Sequence, residues 1–294
     1  MREISVEGLQ LLGAGANGRV FKLNDEQIVK VYNPLTNPFE KIEREKEVAK
    51  KAFVKGVPTA ISFDIVKVGE EYGMIYEMIN AKTLGNVITE HPEKLEEYTL
   101  RMTRMLKNLH ALSFDEGELP DGRRSLHIHA DIAEKSGMYK PEVIERLHRF
   151  IDDIPDGNTF IHGDFHPGNI MLSGDEMLLI DMGDVSLGHP IIDLFASCQL
   201  MLVIQDWPGG TMRYINIPTD LAKRVWDIFI REYFETDDEE RLAAITKLLR
   251  FYCLIRSFPG IVFSEIVPAD RKEEIAGKMS AYFMENVDSV KIIF

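Results

Sequence analysis

Hydrophobic positions follow two different periods along the chain. Up to residue 79 they come in short runs, LQLLGAGANGRVFKL and QIVKVY separated by NDE, then SFDIVKV and GMIYEMI separated by GEEY. Short β-type runs joined by turn residues predict two hairpins. Between them, FEKIEREKEVAKKAFV is rich in Glu, Lys and Ala and predicts a helix. Asn33, Pro34, Asn37 and Pro38 precede it, and Gly56 and Pro58 end it. From Leu84 onward the apolar spacing becomes helical, predicting helices over 98–112, 141–154, 190–205, 218–235, 237–258 and 269–285. Residues 113–137, with Gly117, Pro120 and Gly122, read as an irregular and mobile insert. Thr236 ahead of DDEE predicts an N-cap with acidic residues in the first turn. The pattern predicts an α+β chain, with a small β-rich lobe over 1–79 and a larger helical lobe over 80–294.

Composition adds little to the fold and more to the class. Apolar residues are 45% and charged residues 28% of 294, enough for a sizeable core without disulfide staples. Cys198 and Cys253 sit in apolar, helix-like stretches and are expected to be buried thiols, which suits a reducing cytoplasm. The first residues show no apolar stretch of signal-peptide length. The most apolar run, 191–204, carries Asp193 and Gln199 and reads as a core helix, so no membrane partner is expected. The net charge of −14 disfavours nucleic acid, whose phosphates attract basic surface. Residues 1–79 contribute only −1 and residues 80–294 the remaining −13. On charge alone that asymmetry is explained by solubility, with a cationic small-molecule partner as the sharper alternative.

Residues 13–20, GAGANGRV, match G-x-G-x-x-G-x-V, with Gly13, Gly15, Gly18 and Val20 in the fixed places. In a dinucleotide fold such glycines open a helix. Here VFKL and a turn follow, so the glycines belong to a hairpin whose backbone N–H groups can lie over nucleotide phosphates. That reading requires a lysine on the next strand, and Lys30 in QIVKVY stands there. Its ammonium would hold the α- and β-phosphates, fixed by a carboxylate from the following helix. Glu43, Glu45 and Glu47 are the candidates.

The stretch HGDFHPGN (162–169), followed by LLIDMG, carries the remaining chemistry. His162 and His166 are four apart, as in a helical zinc pair, but Gly163, Pro167 and Gly168 oppose a helix and no third ligand is near. Asp164 and Asn169 have the spacing of D-x-x-x-x-N in a kinase catalytic loop, and Asp181 opens D-x-G. Phosphoryl transfer needs positioning and charge neutralisation more than covalent chemistry. Asp164 would orient an acceptor hydroxyl and take its proton. Asn169 and Asp181 would offer oxygen ligands to Mg²⁺. His162 is expected to brace the loop, and His166 to be exposed or to make an occasional substrate contact.

At these residues the chain resembles the aminoglycoside phosphotransferase and choline kinase-like family, the small-molecule branch of the protein-kinase-like fold. HGDFHPGN, IDMGD, PIIDL, EREK and GVPT carry the resemblance. It implies a bilobal fold, ATP or GTP with Mg²⁺, and adenine held by the backbone around Glu77, Met78 and Ile79. It selects Glu45, the second Glu of EREK, as the partner of Lys30, and makes Asp193 a structural support. Ala81 stands where that family usually has glycine.

Two rivals exist. A protein kinase needs a peptide platform after D-x-G, ending in A-P-E, yet only 12 positions separate Asp181 from Asp193 and no A-P-E follows. A non-catalytic nucleotide-binding module would ordinarily have lost Lys30, Asp164 or Asp181, and all three remain. The expectation is therefore a phosphotransferase with an alcohol acceptor on a small molecule.

Overall fold

A computed structural model of the chain describes residues 1–15, 18–34, 37–115, 117–207, 209–264 and 267–294. Ala16 and Asn17 of the glycine loop lie outside that set, as does Glu116 of the expected insert. The chain begins with strands β1 (Leu11–Gly15), β2 (Gly18–Lys22) and β3 (Gln27–Tyr32), helix α1 (Phe39–Val54), strands β4 (Ser62–Val68), β5 (Glu71–Glu77) and β6 (Lys82–Thr83), and helix α2 (Leu84–Glu90). Helices α3 (Leu95–His110), α4 (Gly122–Lys135) and α5 (Pro141–Asp152) follow, then strands β7 (Thr159–Ile161), β8 (Ile170–Ser173), β9 (Glu176–Leu179) and β10 (Ser186–Gly188). The remainder is helical: α6 (Ile191–Met201), α7 (Gly210–Ile215), α8 (Thr219–Phe234), α9 (Glu239–Tyr252), α10 (Leu254–Phe263) and α11 (Ala269–Asn286). The α+β class and the β-then-helix order agree with the sequence pattern. No described helix is long and apolar enough to cross a membrane.

Two compact units emerge, one of Met1–Val87 with Asn169–Val185, the other of Ile88–Gly168 with Ser186–Phe294. The expected division ran 1–79 and 80–294. In the first unit an antiparallel sheet has the order β1-β2-β3-β5-β4. Alternation sends Val29, Val31, Val66, Val68 and Ile75 to one core face, while Tyr32 and Met74 meet Ile42 of α1 on the other. The first sequence run is two strands, because Gly18 pairs with Gly15 and turns the chain back. A Cβ on Gly18, at φ +149°, would stand 2.1 Å from the Val31 carbonyl oxygen, so only glycine fits. The β8–β9 hairpin joins this unit through β6, and through Pro58–Ala60: Leu179 N–H donates to Pro58 O at 2.7 Å, and Thr59 Oγ1 donates to Leu179 O at 3.0 Å.

In the second unit α3 packs on α8, α4 on α5 and α10, and α6 on α8 and α9. Every residue of α6 except Leu200 is buried, the polar Asp193, Ser197 and Gln199 among its apolar side chains. Cys198 and Cys253 are both buried free thiols.

Three expectations need correction. Residues 113–137 are not an irregular insert, since α4 fills 122–135. Asp121 caps it by accepting from Arg123 N–H at 2.8 Å, and Gly122 is closely packed: a Cβ there would stand 2.9 Å from Ile192 Cδ1 and 3.2 Å from the Leu187 carbonyl oxygen. The glycine read as a breaker is a close-packing residue. The cap of α9 is Asp238, which accepts from Arg241 N–H at 3.1 Å, rather than Thr236, whose hydroxyl instead accepts from Asp238 N–H at 3.3 Å. The predicted 237–258 helix breaks at Cys253, and α10 continues through Pro259 to Phe263. The short α7 was not foreseen.

Candidate active site

Lys30 lies mid-strand in β3, opposite Val20 on β2 and Met74 on β5. On α1 the buried stripe is Ile42, Glu45, Val48, Ala49 and Ala52. The periodicity that buries the apolar members also delivers Glu45, a lone carboxylate on an apolar face, toward the sheet. Lys30 Nζ is 3.3 Å from Glu45 Oε1 and 2.8 Å from Asp181 Oδ1. Tyr76 Oη donates to Glu45 Oε1 at 2.8 Å and stands 3.0 Å from Tyr32 Oη. Side-chain exposure is 15% for Lys30 and 3% for Glu45, so this is a desolvated network. Burial alone would lower the Lys30 pKa, but the Asp181 and Glu45 carboxylates outweigh it and hold the ammonium above its ordinary value. Burial, then Glu45, pushes the Tyr76 and Tyr32 phenols well up, so both stay neutral donors. Neither tyrosine stood out in the sequence, because a tyrosine in a strand ordinarily signals packing.

Asp181 is held by backbone on both sides. It follows β9, whose end is tied to Pro58–Ala60, and it adopts a left-handed conformation at φ 61°, ψ 64°. Such a conformation in a non-glycine residue costs about 1–3 kcal/mol and persists where surroundings over-determine it. At Gly183 a Cβ would meet the Glu45 carboxylate at 3.3 Å, so a side chain there would crowd the partner of Lys30. Asn169 immediately precedes β8, and its carbonyl accepts from Ile180 N–H at 3.0 Å. The β8–β9 register thus sets the oxygen-bearing side chains of Asn169 and Asp181 at one end of a hairpin.

Gly13 pairs with Val20 at the base of the glycine hairpin. After β5, Glu77 Oε1 accepts from Ile61 N–H at 2.7 Å and Met78 N–H donates to Glu26 O at 2.7 Å. Ile79 O accepts from Ala81 N–H at 2.9 Å, while the Ile79 N–H has no hydrogen-bond partner among the described residues. Lys30, Glu45, Asn169, Asp181, the glycines and 77–79 all belong to the first unit.

The second unit holds Asp164 and its supports. Asp193, in the first turn of α6 and fully buried, accepts from the main-chain N–H groups of His162 (2.9 Å) and Gly163 (2.6 Å). His110 Nε2 lies 3.2 Å from Asp193, and its Nδ1 is 2.7 Å from Tyr233 Oη. Ser197 Oγ donates to Phe165 O at 2.6 Å. His162 is fully buried, and its Nδ1 accepts from Asp164 N–H at 3.3 Å. His166, expected to be exposed or to contact substrate, is buried as well. Its Nδ1 accepts from Gly168 N–H at 3.0 Å, which leaves the proton on Nε2, 3.4 Å from Asp164 Oδ2. Among the described residues neither histidine belongs to a three-ligand metal cluster.

Arg256 on α10 was not foreseen. Its Nη2 donates to Asp164 Oδ1 at 2.7 Å. Burial would raise the Asp164 pKa, yet Arg256 and then His166 outweigh it and hold the carboxyl well below the usual carboxylate range. The signal was available: Arg256 is the one charge in the helix LIRSFPGIVF. A buried charge in an apolar helix requires a partner.

Residues 8–245 match the profile of the phosphotransferase enzyme family, APH. The chain is similar in structure to an aminoglycoside-3'-phosphotransferase of type VIII, with a TM-score of 0.56 at 20% identity over 83% of this chain and 93% of that one. It is similar to an amicoumacin kinase in complex with AMP-PNP, Ca²⁺ and Ami, with a TM-score of 0.54 at 14% identity over 98% and 90%. It is also similar to a choline/ethanolamine kinase family protein from Mesorhizobium loti, with a TM-score of 0.54 at 15% identity over 94% and 87%. No curated protein matches the sequence significantly. These likenesses show the fold, and the profile, matched over most of the chain, shows the descent: the chain belongs to the phosphotransferase enzyme family and is a small-molecule phosphotransferase.

Proposed function

We propose that the protein transfers the γ-phosphate of ATP to a hydroxyl of a small, cationic molecule of the aminoglycoside or amino-alcohol kind, with Mg²⁺ bound by Asn169 and Asp181. The observation that carries the proposal is the Lys30–Glu45–Asp181 network, a cation held ready between two carboxylates. Lys30 binds the α- and β-phosphates, and Glu45 with Tyr76 fixes its ammonium. The backbone of Gly13, Gly15, Gly18 and Val20 lies along the phosphates. Adenine takes the Ile79 N–H and the neighbouring backbone of Glu77 and Met78. Oxygen donors at one end of a hairpin fit a hard divalent cation, which supplies charge neutralisation on the phosphates.

Asp164 accepts the acceptor's hydroxyl proton as the oxygen bonds to the γ-phosphorus and the bond from that phosphorus to the β,γ-bridging oxygen breaks. ADP leaves with that electron pair. A carboxylate held so strongly ionised is a weak base, so Asp164 acts chiefly by orienting the hydroxyl and takes the proton late. Asp193 holds the main chain on which Asp164 stands. An amicoumacin kinase complexed with AMP-PNP supports nucleotide use, and the −13 balance of residues 80–294 supports a cationic acceptor. Arg256 cancels the charge of Asp164, so attraction for a cation comes from the wider acidic surface.

The test is transfer of labelled γ-phosphate, from ATP and from GTP, across aminoglycosides, amino alcohols and neutral sugars. Asp164→Asn is expected to reduce transfer by about 100-fold or more. Equal transfer by wild type and Asp164→Asn would remove Asp164 from its role. Neutral sugars outpacing every amine would refute the cationic acceptor.

A further inference from the structure

Helices α4 and α5 carry a cluster that the phosphotransfer chemistry does not use. Asp131 and Glu134 stand one turn apart on α4, and His148 faces them from α5. One ligand atom from each lies within 4.8 Å of the other two. Neither carboxylate has a lysine or arginine partner among the described residues.

The histidine is oriented from behind. His148 stacks on His127 of α4 with ring centroids 5.1 Å apart and planes at 17°. The two Nδ1 atoms are 2.8 Å apart, and His127 Nε2 is 3.0 Å from Asp152 Oδ1. A carboxylate only accepts, so His127 carries its proton on Nε2, and its bare Nδ1 accepts the Nδ1–H of His148. The neutral His148 ring is then left with its lone pair on Nε2. That nitrogen lies 3.6 Å from Asp131 Oδ1, too long for a direct hydrogen bond. In that tautomer three electron-pair donors converge, and a carboxylate–histidine relay fixes the ring orientation of one. Metal-ligating histidines are held by this kind of outer support.

We propose that Asp131, Glu134 and His148 bind a divalent transition-metal ion of the Zn²⁺ type, clipping α4 to α5. The imidazole selects against Mg²⁺ and Ca²⁺, which favour all-oxygen sites. Two carboxylates and one imidazole with water in the remaining positions suit Zn²⁺, which tolerates mixed nitrogen and oxygen ligands. The site is independent of the nucleotide chemistry.

The full-length protein, stripped with EDTA, is titrated calorimetrically with ZnCl₂ in excess Mg²⁺, which occupies oxygen-only sites. Wild type is compared with His148→Gln, Glu134→Gln and His127→Phe. Glu134 is exposed, so its substitution leaves the fold in place, and circular dichroism checks all three variants. Wild type is expected to bind one equivalent more tightly than any other, and that equivalent weakens at least 10-fold in His148→Gln and about 10-fold in His127→Phe. Zinc at 100 times its Kd raises the Tm of wild type by about 3–6 °C and leaves that of His148→Gln unchanged. Co²⁺ in place of Zn²⁺ gives visible ligand-field absorption that disappears in His148→Gln. No saturable Zn²⁺ binding by wild type, or equal binding by wild type and the variants, overturns the proposal.

Discussion

Lys30 is a residue whose charge is worth more than its own packing. Its ammonium neutralises Glu45 and Asp181, whose carboxylates would otherwise share a desolvated pocket. Lys30→Met leaves Glu45, 3% exposed, without its cation, and breaking a buried pair from one side costs about 3 kcal/mol or more. The variant is expected to lose nucleotide affinity and melt several degrees lower, while the double variant Lys30→Met/Glu45→Gln recovers part of the stability. Thermal unfolding of both decides it, and a Tm for Lys30→Met equal to wild type refutes it. Arg256 acts on Asp164 in the opposite sense. The carboxyl's folded pKa lies below the ordinary 3.8, so the pair's contribution is present above that value and is lost only as pH falls through the lower folded value. Between pH 4 and 7, Asp164 sets no acid limb in the rate of transfer. Arg256→Met removes the largest charge opposing burial, so the Asp164 pKa rises and an acid limb enters the pH profile. A profile identical to wild type would show that Arg256 does not govern this carboxyl.

At the scale of elements, the misread segments share a cause. Gly122 and Pro120 have the chemistry of breakers, yet Pro120 O accepts from Leu187 N–H at 2.7 Å and Gly122 packs against Ile192, so both serve the start of α4. Whether a glycine breaks a helix or lets one approach a neighbour depends on what lies beside it. The α9 cap makes the same point on a smaller scale, since two adjacent candidates differ only in which oxygen reaches an N–H of the first turn. Asp238→Ala is expected to cost about 1 kcal/mol, a fall in Tm of roughly 1–2 °C, with Thr236→Ala changing it much less. Equal Tm shifts in a thermal melt would return the cap to Thr236.

At the scale of the molecule, the charge of −14 is concentrated in residues 80–294. Like charges on a folded surface repel, and salt screens them with a Debye length of about 10 Å at 0.1 M. Raising NaCl from about 0.02 to 0.2 M, through that screening range, is expected to raise the Tm. If the Tm falls instead, local ion pairs outweigh the collective repulsion. The sequence by itself determined the elements of the first 79 residues, the glycine hairpin, Lys30 and the D-x-x-x-x-N and D-x-G spacings. Each depends on residues close in the chain, where backbone period and turn chemistry act. It also offered Glu43, Glu45 and Glu47 on the following helix, but choosing among them took the family resemblance, and the buried stripe that carries Glu45 is a feature of the structure. Only the tertiary structure decided what meets across long separations. Lys30 reaches Asp181 across 151 residues, Arg256 reaches Asp164 across 92, and His148 meets Asp131 between two helices. Such contacts depend on how helices and sheets pack, and local periodicity records which face is buried but not what that face will touch.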